Sequence, residues 1–403
     1  MSREIKNIKR IAMLAHTYYF TDARVQRLAE CLAAAGYETH VVCMWEPARI
    51  DGCREPREEV VNGAHIHRVR LVRNRGSMAR YFYEYLMMTF LGMWKLLGLH
   101  FKYKFNVVHI HNMPDFLVLA GLPLKWTGAT LVLDVHDPMT ELFQENYHLK
   151  KSNLLIKLIK MQEWISYRLV DHLLTVSDPM AENVAKKAGC NESDVAVVKN
   201  LPDSRKFPIR KNIKNQWPYH NREIKILYCG TVTEHYNLDM AVKAIAKLSS
   251  KIPNINLQIL GSGNRLEQLL ELSQKLGVAD KVEHIKPVNQ DRVIEIMDGA
   301  DMGISTHRAG IFGDLYFSTK ILEFMTQGLP VISSRTYTIE QLIPESAIFY
   351  FEPGNVDDLI RQISFICNNP EVVVDKIRNS REVVLTYNWG KEHRALLSFY
   401  DCL

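Results

Sequence analysis

Short apolar runs alternate with longer amphipathic stretches along most of the chain, and this alternation restricts its fold more than any other feature. Apolar runs separated by helical patterns are typical of buried strands in βαβ units, which form parallel sheets covered by helices. The first series predicts strands at residues 10–15, 38–43, 106–111, 130–135 and 172–176. A second series predicts strands at residues 224–229, 256–260, 282–285, 302–305, 330–333 and 347–350.

A polar segment separates the two series. Residues 201–222 are basic and contain Pro202, Pro208 and Pro218, which is typical of a linker. We predict an N-terminal domain over residues 1–205, a linker over 206–222 and a second domain over 223–387. The length of 403 residues agrees with two domains, since a domain usually contains about 100–200 residues.

Composition excludes several classes of protein. A net charge of +5 without a long Lys/Arg tract does not favour a nucleic-acid partner. The seven cysteines are widely spaced and include no C-x-x-C pair, so we expect neither a zinc site nor a disulfide framework, and a cytoplasmic location. We expect no signal peptide and no membrane-spanning helix, because the chain has no apolar stretch of about 18 residues.

Residues 314–332 carry the strongest binding signal. Ser318 or Thr319 is placed to cap a helix that ends near residue 327, and its first turn offers free N–H groups and the positive end of the dipole to a diphosphate. Lys320 adds a positive charge, and Glu323 lies on the same face, where a carboxylate can accept hydrogen bonds from a ribose diol. The alternative is a capped helix with a solvated Lys–Glu pair.

Two glycine-containing loops follow strands of the second domain. Gly230 allows close approach of a ligand to the backbone, and Thr231 and Thr233 are candidates for binding phosphate oxygens. Gly263 belongs to a G-x-G sequence after the strand ending at residue 260, which by itself is weak evidence. An ordinary strand–turn–helix connection and a tight turn are the alternatives for the two loops.

Polar residues also end predicted strands of the first domain. His136 and Asp137 follow one strand, with Glu141 shortly after, and a histidine at this position is a candidate to face a ligand. The alternative is a loop histidine in a hydrogen-bonded turn. His109, His111 and Asn112 end another strand, but their spacing to His136 is not that of metal ligands, and we predict no metal.

Two segments of the first domain are aromatic and basic. Residues 73–104 are rich in Met, Leu and aromatic residues with basic ends, and residues 149–164 form a second basic amphipathic stretch. Both patterns fit helices that lie on an anionic membrane surface, rather than spanning it. The alternative is a pair of ordinary long helices that cover the sheet.

Seven motifs in this order and spacing resemble retaining glycosyltransferases of family 4, which have the GT-B fold. They lie at residues 22–25, 133–137 with Glu141, 176–179, 200–203, 230–231, 261–263, and 318–325 with 328–331. The resemblance covers essentially the whole chain. It implies an α/β chain with two Rossmann-like, doubly wound domains facing a central cleft. The donor would be bound mainly by the second domain and the acceptor by the first, and a C-terminal helix at 388–403 would cross back onto the first domain.

The resemblance also assigns site residues. Glu323 matches the family's ribose-binding glutamate, and His136 its donor-sugar histidine. The acceptor-side candidates are Tyr18, Asp22, Arg24, Asn112, Asp137 and Glu141.

The chain departs from the family in three loops. Thr231 and Tyr236 stand where the family often has Arg and Lys, so Lys320, the helix N-terminus and Arg308 are expected to hold the diphosphate. Leu315 replaces the first glutamate of an E-x7-E motif, with Asp314 beside it as a candidate for the sugar hydroxyls. Residues 16–20 replace the usual glycine-rich loop.

The function implied is metal-independent transfer of a sugar, with retention of configuration, from a nucleotide-diphosphate donor to a glycan or lipid-linked acceptor. We expect no cofactor, a role in cell-envelope polysaccharide or glycolipid synthesis, and peripheral contact with the inner face of the plasma membrane. A nucleotide-sugar 2-epimerase of the same architecture is one alternative. The other is a non-catalytic GT-B-like subunit that binds a membrane or a partner.

Overall fold

The computed structural model describes residues 9–46, 55–73, 78–210 and 222–403. The chain forms two compact units, one of residues 1–200 with 392–403 and one of residues 201–391. The predicted linker at 206–222 falls largely on residues 211–221, which lie outside the described residues.

The first unit contains an eight-stranded sheet in the order β3-β4-β2-β1-β5-β6-β7-β8, and only β3 is antiparallel to its neighbour. The hairpin of β3 and β4 was not predicted from the alternation, although Asn62 and Gly63 at its turn have the positive φ angles typical of a two-residue hairpin loop. The strands are β1 Arg10–Tyr18, β2 Glu38–Met44, β3 Glu58–Val61, β4 Ala64–Val69, β5 Val107–His111, β6 Thr130–Val135, β7 His172–Thr175 and β8 Val195–Val197.

Helices cover both faces of this sheet, because right-handed crossovers place α1 on one face and α2, α5 and α6 on the other. The final helix, α14, packs on the first unit through Tyr400, whose hydroxyl lies 2.5 Å from Nδ1 of the buried His109. The helices of the described residues are α1 Ala23–Ala34, α2 Met78–Tyr103, α3 Leu122–Lys125, α4 Met139–Asn146, α5 Leu154–Leu169, α6 Asp178–Ala188 and α14 Trp389–Cys402.

The second unit contains a fully parallel six-stranded sheet in the order β11-β10-β9-β12-β13-β14. Its strands are β9 Ile224–Cys229, β10 Ile255–Leu260, β11 Val282–Ile285, β12 Met302–Ser305, β13 Val331–Ser334 and β14 Phe349–Phe351. Its helices are α7 Asp239–Leu248, α8 Leu266–Lys275, α9 Gln290–Gly299, α10 Thr319–Thr326, α11 Tyr337–Leu342, α12 Val356–Asn368 and α13 Pro370–Thr386.

The predicted fold class is confirmed, because each unit has a doubly wound, mainly parallel sheet. Every predicted strand overlaps an observed one, since strands buried on both faces require the continuous apolar runs that identified them. None of the described helices is long and apolar enough to cross a bilayer.

Candidate functional site

The second unit has a topological switch point between β9 and β12. From β9, successive strands are added towards β11 on one side and towards β14 on the other, so the strand order reverses between these two neighbours. In doubly wound sheets, ligands bind beyond the carboxyl ends of the strands at this point. The loops after β9 and β12 carry most of the residues predicted to bind the donor.

The loop after β9 packs backbone to backbone on the loop after β10. The N–H of Val232 donates to the carbonyl of Ser262 at 3.0 Å, and the N–H of Arg265 donates to the carbonyl of Val232 at 3.1 Å. A Cβ atom on Gly263 would lie 2.0 Å from the Val232 oxygen, and one on Gly261 would lie 1.8 Å from the Gly230 oxygen. The absence of a side chain at Gly263 therefore serves contact between two loops, where sequence reasoning had placed a donor contact.

Gly263→Ala is expected to lower the free energy of unfolding by about 3 kcal/mol, because the added methyl group overlaps a backbone oxygen that cannot rotate away. Gly299→Ala, at the end of α9, is the control, since no heavy atom lies within 4 Å of its would-be Cβ. The control is expected to change stability by less than about 1 kcal/mol. Urea unfolding of both variants measures the difference, and equal midpoints would contradict this account of the loops.

α10 begins beside the carboxyl end of β9. Ser318 occupies the N-cap position, but its side chain accepts no hydrogen bond from the first turn, so the prediction of a capping hydroxyl was wrong there. Thr319 is the first residue of α10 and is half-buried. The first-turn N–H groups of an α-helix have no intrahelical acceptor and carry the positive end of its dipole. This terminus is therefore suited to an anion.

Lys320 and Glu323 form an ion pair on the first turn of α10. Lys320 Nζ donates to Glu323 Oε2 at 2.7 Å, and the carboxylate side chain is 7% exposed, whereas the lysine side chain is 34% exposed. Burial lowers the pKa of Lys320, but the Glu323 carboxylate more than offsets this, and the pKa is raised above its ordinary value. The structure thus replaces the alternative of a solvated pair with a buried carboxylate and a partly exposed, permanently charged ammonium.

Cys229 locates this pair at the end of β9. Burial raises the pKa of the Cys229 thiol to about 11, and the charges of Lys320 and Glu323 act on it with opposite signs. Tyr228, the preceding residue, donates its hydroxyl to the carbonyl of Thr231 at 2.6 Å, which holds the loop that carries the exposed Thr231. The structure therefore brings Lys320, Glu323 and the glycine loop to one edge of the sheet.

The loop after β12 is fixed to the loop after β9. Arg308 donates its N–H to the carbonyl of His235 at 3.1 Å, and its Nη1 lies 3.0 Å from Glu234 Oε1. Thr233 Oγ1 lies 3.1 Å from Nε2 of the His235 ring. Arg308 and Thr233 thus lie on adjoining loops at the switch point, as the prediction of a shared site requires.

An aromatic cluster lines these two loops and was missed by sequence reasoning. Ring centroids within the cluster lie 4.3 to 6.0 Å apart for the pairs in contact, and its members are His235, Tyr236, His307, Phe312 and Tyr316. Burial, followed by the charge of Arg308, lowers the pKa of His235 to about 4, and burial lowers that of His307 to about 3. Both rings are therefore neutral near pH 7. The members come from two distant parts of the chain, so no local pattern could have identified them.

Asp314 holds the loop after β12 against α11. Its Oδ1 accepts from the N–H of Tyr337 at 3.3 Å, and its carbonyl accepts from the N–H and the hydroxyl of Thr338 at 3.2 and 2.6 Å. These contacts cap the start of α11, so the carboxylate has a structural partner where a sugar hydroxyl had been predicted.

In the first unit, Asn112 fixes the loop that carries His136 and Asp137. Its Oδ1 accepts from the N–H groups of His136 and Asp137 at 3.0 and 3.2 Å, and its Nδ2 donates to the Asp137 carbonyl at 2.6 Å and to Asp115 Oδ1 at 3.1 Å. Asn112 therefore positions other groups through all of its amide atoms, and is not itself directed at an acceptor.

His136 lies at the carboxyl end of β6. Its Nδ1 is buried and has no hydrogen-bond partner among the described residues. Burial raises the pKa of the neighbouring Asp137. A buried ring nitrogen without a protein partner is the feature of this edge that is most consistent with a ligand contact.

Arg24 belongs to the core, which corrects its assignment to the acceptor side. It is 4% exposed, forms a bidentate pair with Asp134 at 2.7 and 2.8 Å, and donates to the carbonyl of Val198 at 2.9 Å. Burial raises the pKa of Asp134, but Arg24 and the two neighbouring histidines lower it well below its usual range.

His109 and His111 join this network, and their ligand atoms and those of Asp134 lie within 4.8 Å of one another. Sequence reasoning had grouped these two histidines with His136 instead. Burial lowers the pKa of both rings, that of His111 to about 4. The guanidinium of Arg24 already engages both oxygens of Asp134, and its positive charge opposes a cation here.

Three further acceptor-side candidates have structural partners. Asp22 caps α1 by accepting from the N–H groups of Arg24 and Val25, both at 3.1 Å. Glu141 is buried and pairs with Lys187 at 2.7 Å. Tyr18 is half-buried, and its hydroxyl accepts from the backbone N–H of residue 73 at 2.7 Å.

Two family models match successive parts of the chain. Residues 22–205 match "Glycosyltransferase Family 4", and residues 209–383 match "Glycosyl transferases group 1". An uncharacterised glycosyltransferase of Methanocaldococcus jannaschii is 24% identical over 383 residues, which are 93% of this chain and 92% of the relative. A phosphatidylinositol N-acetylglucosaminyltransferase of Homo sapiens is 24% identical over 243 residues, which are 57% of this chain and 46% of the relative.

Solved structures show the same fold. A sucrose-phosphate synthase from Thermosynechococcus elongatus has a TM-score of 0.76 at 17% identity, with 98% of each chain covered. An Anabaena protein solved in complex with UDP-glucose has a TM-score of 0.69 at 12% identity, with 98% of this chain and 100% of that chain covered. At these identities the likeness shows the architecture alone.

Proposed function

Because this chain belongs to family 4 of the GT-B-type glycosyltransferases, we propose that it transfers a sugar from a nucleotide-diphosphate donor with retention of configuration and without a metal ion. One observation carries the proposal of such a donor. The partly exposed Lys320 ammonium stands on the first turn of α10, beside the glycine loop at the switch point of the second unit. A fixed positive charge and free N–H groups at this edge suit a diphosphate.

In the proposed reaction, the bond between the anomeric carbon and the diphosphate oxygen breaks, and its electron pair goes to the diphosphate. The acceptor hydroxyl forms the new bond to the anomeric carbon and gives its proton to a diphosphate oxygen on the same face of the sugar. Lys320 and the N–H groups of α10 stabilise the charge that develops on the leaving group. These fixed charges do the work that a metal ion would otherwise do.

Two further residues have proposed roles in this reaction. Glu323 binds the ribose diol through Oε1, since Oε2 accepts from Lys320. His136 contacts the donor sugar through its buried ring nitrogen, which has no partner among the described residues. Arg308 and Thr233, on the adjoining loops, contribute to binding the diphosphate.

The acceptor is proposed to be a lipid-linked or envelope glycan. The names of several relatives refer to lipids or lipopolysaccharide, namely phosphatidylinositol, a dolichol diphosphate and the lipopolysaccharide outer core. One of these names specifies a beta-mannosyltransferase, so the stereochemistry of the product needs its own measurement. We place the reaction in the cytoplasm, as the cysteine pattern of the sequence indicates.

A thermal-shift screen against UDP-, GDP- and ADP-sugars tests the donor. One nucleotide is expected to stabilise the protein by about 2.7 kcal/mol at a concentration of 100 Kd, because it binds the folded state alone. The matching donor is then incubated with acceptor, and NMR of the anomeric proton reads the configuration of the product. Stabilisation by no nucleotide diphosphate would favour the non-catalytic alternative. Conversion of the donor to its epimer without acceptor would establish the epimerase instead.

A further inference from the structure

The helix α2 is apolar on its exposed face as well as on its buried one. Its outward side chains recur at intervals of three or four residues, and the large ones are Tyr83, Leu86, Phe90, Trp94 and Phe101. Trp94 is 59% exposed and Phe90 is 52% exposed, and their rings contact each other at 6.3 Å. A helix that only covers a sheet has a polar outer face, so the packing of α2 does not account for this stripe.

α5 repeats the pattern. Its exposed apolar side chains are Leu154, Leu158, Met161, Trp164 and Ile165. Its inner face is buried, with Ile156 and Ile159 in a cluster that also includes Tyr85 of α2.

The two helices lie on the same side of the first unit. Both pack against the 3-10 turn Asp115–Ala120, and the side chain of Leu119 is exposed there. The crossovers to the neighbouring strands also place both helices on one face of the sheet. Their outward stripes therefore belong to one surface, which we call the α2–α5 face. An exposed apolar surface of this extent usually marks an interaction site.

Charge on the α2–α5 face has a single sign. Each helix contains one acidic residue, and both of these, Glu84 and Glu163, are buried. The exposed face of α5 carries Lys157, Lys160 and Arg168 between its apolar side chains, and the Arg168 guanidinium lies 4.1 Å from the centroid of the Trp164 ring. Lys150 and Lys151, just before α5, and Lys102 and Lys104, at the end of α2, are also exposed.

We propose that the α2–α5 face docks on the surface of an anionic phospholipid bilayer, without crossing it. Trp94 and Trp164 have the apolar body and polar N–H that suit the boundary between head groups and acyl chains. Lysines interleaved with these side chains complement anionic head groups. A protein partner would bury those cations and would need carboxylates of its own to match them, whereas a bilayer leaves the lysines in the head-group region. The inference does not depend on the proposed sugar transfer.

Cosedimentation of the full chain with vesicles tests this surface. Vesicles of phosphatidylcholine alone are compared with vesicles of equal parts phosphatidylcholine and phosphatidylglycerol, and binding is expected only to the second. The double variant Lys157→Glu, Lys160→Glu is expected to bind at least about 30-fold more weakly, because each cation near the surface contributes roughly a fivefold factor. Trp94→Ser with Trp164→Ser is expected to weaken binding at low and at high salt, since the apolar contribution is not screened.

The second unit supplies matched controls with the same chemistry. Phe365 is exposed on α12 and Lys247 on α7, and Phe365→Ser and Lys247→Glu are expected to leave vesicle binding within about twofold. Unfolding midpoints of all variants verify that the fold is intact, and the nucleotide-induced thermal shift reads the donor site separately.

Three outcomes would overturn the proposal. Wild-type protein that stays in the supernatant with both kinds of vesicle would do so, as would equal loss of binding in the control variants. Sedimentation of the wild-type protein as a dimer that the tryptophan variants dissociate would assign the face to a second copy of the chain. Loss of the nucleotide shift with retained vesicle binding would contradict the proposed function alone.

Discussion

Lys320→Ala is expected to lower turnover by about 10²–10³-fold. The substitution removes the fixed positive charge beside the proposed diphosphate, and loss of one preorganised group that stabilises developing charge has an effect of this size. The N–H groups of α10 remain, so activity above the uncatalysed rate is expected to persist. Initial rates at saturating donor and acceptor measure the effect on kcat.

Stability has to be separated from chemistry in this variant. Glu323 is buried, and without Lys320 its carboxylate loses the ammonium at 2.7 Å. The double variant Lys320→Ala, Glu323→Gln removes this unpaired charge and is expected to unfold near the wild-type midpoint, still with low turnover. Lys247→Ala is the matched control, because Lys247 pairs with Asp357 on the surface and both side chains are more than half exposed. Turnover of Lys320→Ala within threefold of wild type would refute the assignment.

The pH dependence follows from the direction of the shift. The pKa of Lys320 is raised, so its contribution to stability is present at low and neutral pH and is lost only as pH rises through the folded-state value. The charge on the leaving-group side is therefore expected to stay constant across the neutral and moderately alkaline range. A fall in kcat between neutral and moderately alkaline pH would then have to come from another group.

Arg24→Met is expected to lower the free energy of unfolding by about 3–5 kcal/mol. The change leaves Asp134 buried without the guanidinium that engages both of its oxygens, and an uncompensated buried charge has a cost of this size. It also removes the donor to Val198, which ties α1 to the residues after β8. Urea unfolding followed by circular dichroism gives the difference.

Arg10→Met is the matched control within the same unit. Arg10 pairs with Glu38 at 2.9 Å, with side chains 44% and 30% exposed, and exposed pairs of this kind contribute about 0–1 kcal/mol. If both substitutions had the same small effect, the Arg24–Asp134 pair would not stabilise the fold.

Acid unfolding provides a second measurement on the same pair. The pKa of Asp134 is depressed in the folded chain, so its contribution is present above the unfolded value and is lost as pH falls through the folded value. Arg24→Met removes a cause of that depression, and the variant is expected to lose less stability between neutral and acidic pH than the wild type loses.

The sequence predicted well where a structure depends on neighbouring residues. Strands β6, β9, β11 and β12 were predicted with the observed bounds, because an apolar run bounded by polar residues identifies a strand buried on both faces. The pairing of Lys320 with Glu323 followed from their separation on one helix. Strand β8 was missed because only three residues form it.

The site was predicted less completely, because its chemistry depends on burial and on partners far apart in the chain. Arg24 reads as a polar residue at a helix start, yet its partner is Asp134, and Asp22 next to it only caps the helix. Asp314 reads as a candidate for sugar hydroxyls, yet its oxygen accepts from Tyr337. In each case a partner from another segment decides the role.

The amino-acid sequence by itself determined two doubly wound units, their strands and the helix start at Ser318, since hydrophobic periodicity and helix spacing are local properties of the chain. The tertiary structure alone decided which polar residues are buried together. It set Gly263 against the Val232 carbonyl, gathered the aromatic cluster around His307, and turned Arg24 into the core while leaving the α2–α5 face uncovered. The physical reason is that the free energy of a polar or charged group depends on what surrounds it in space, and the crossovers between parallel strands bring those surroundings from distant parts of the chain.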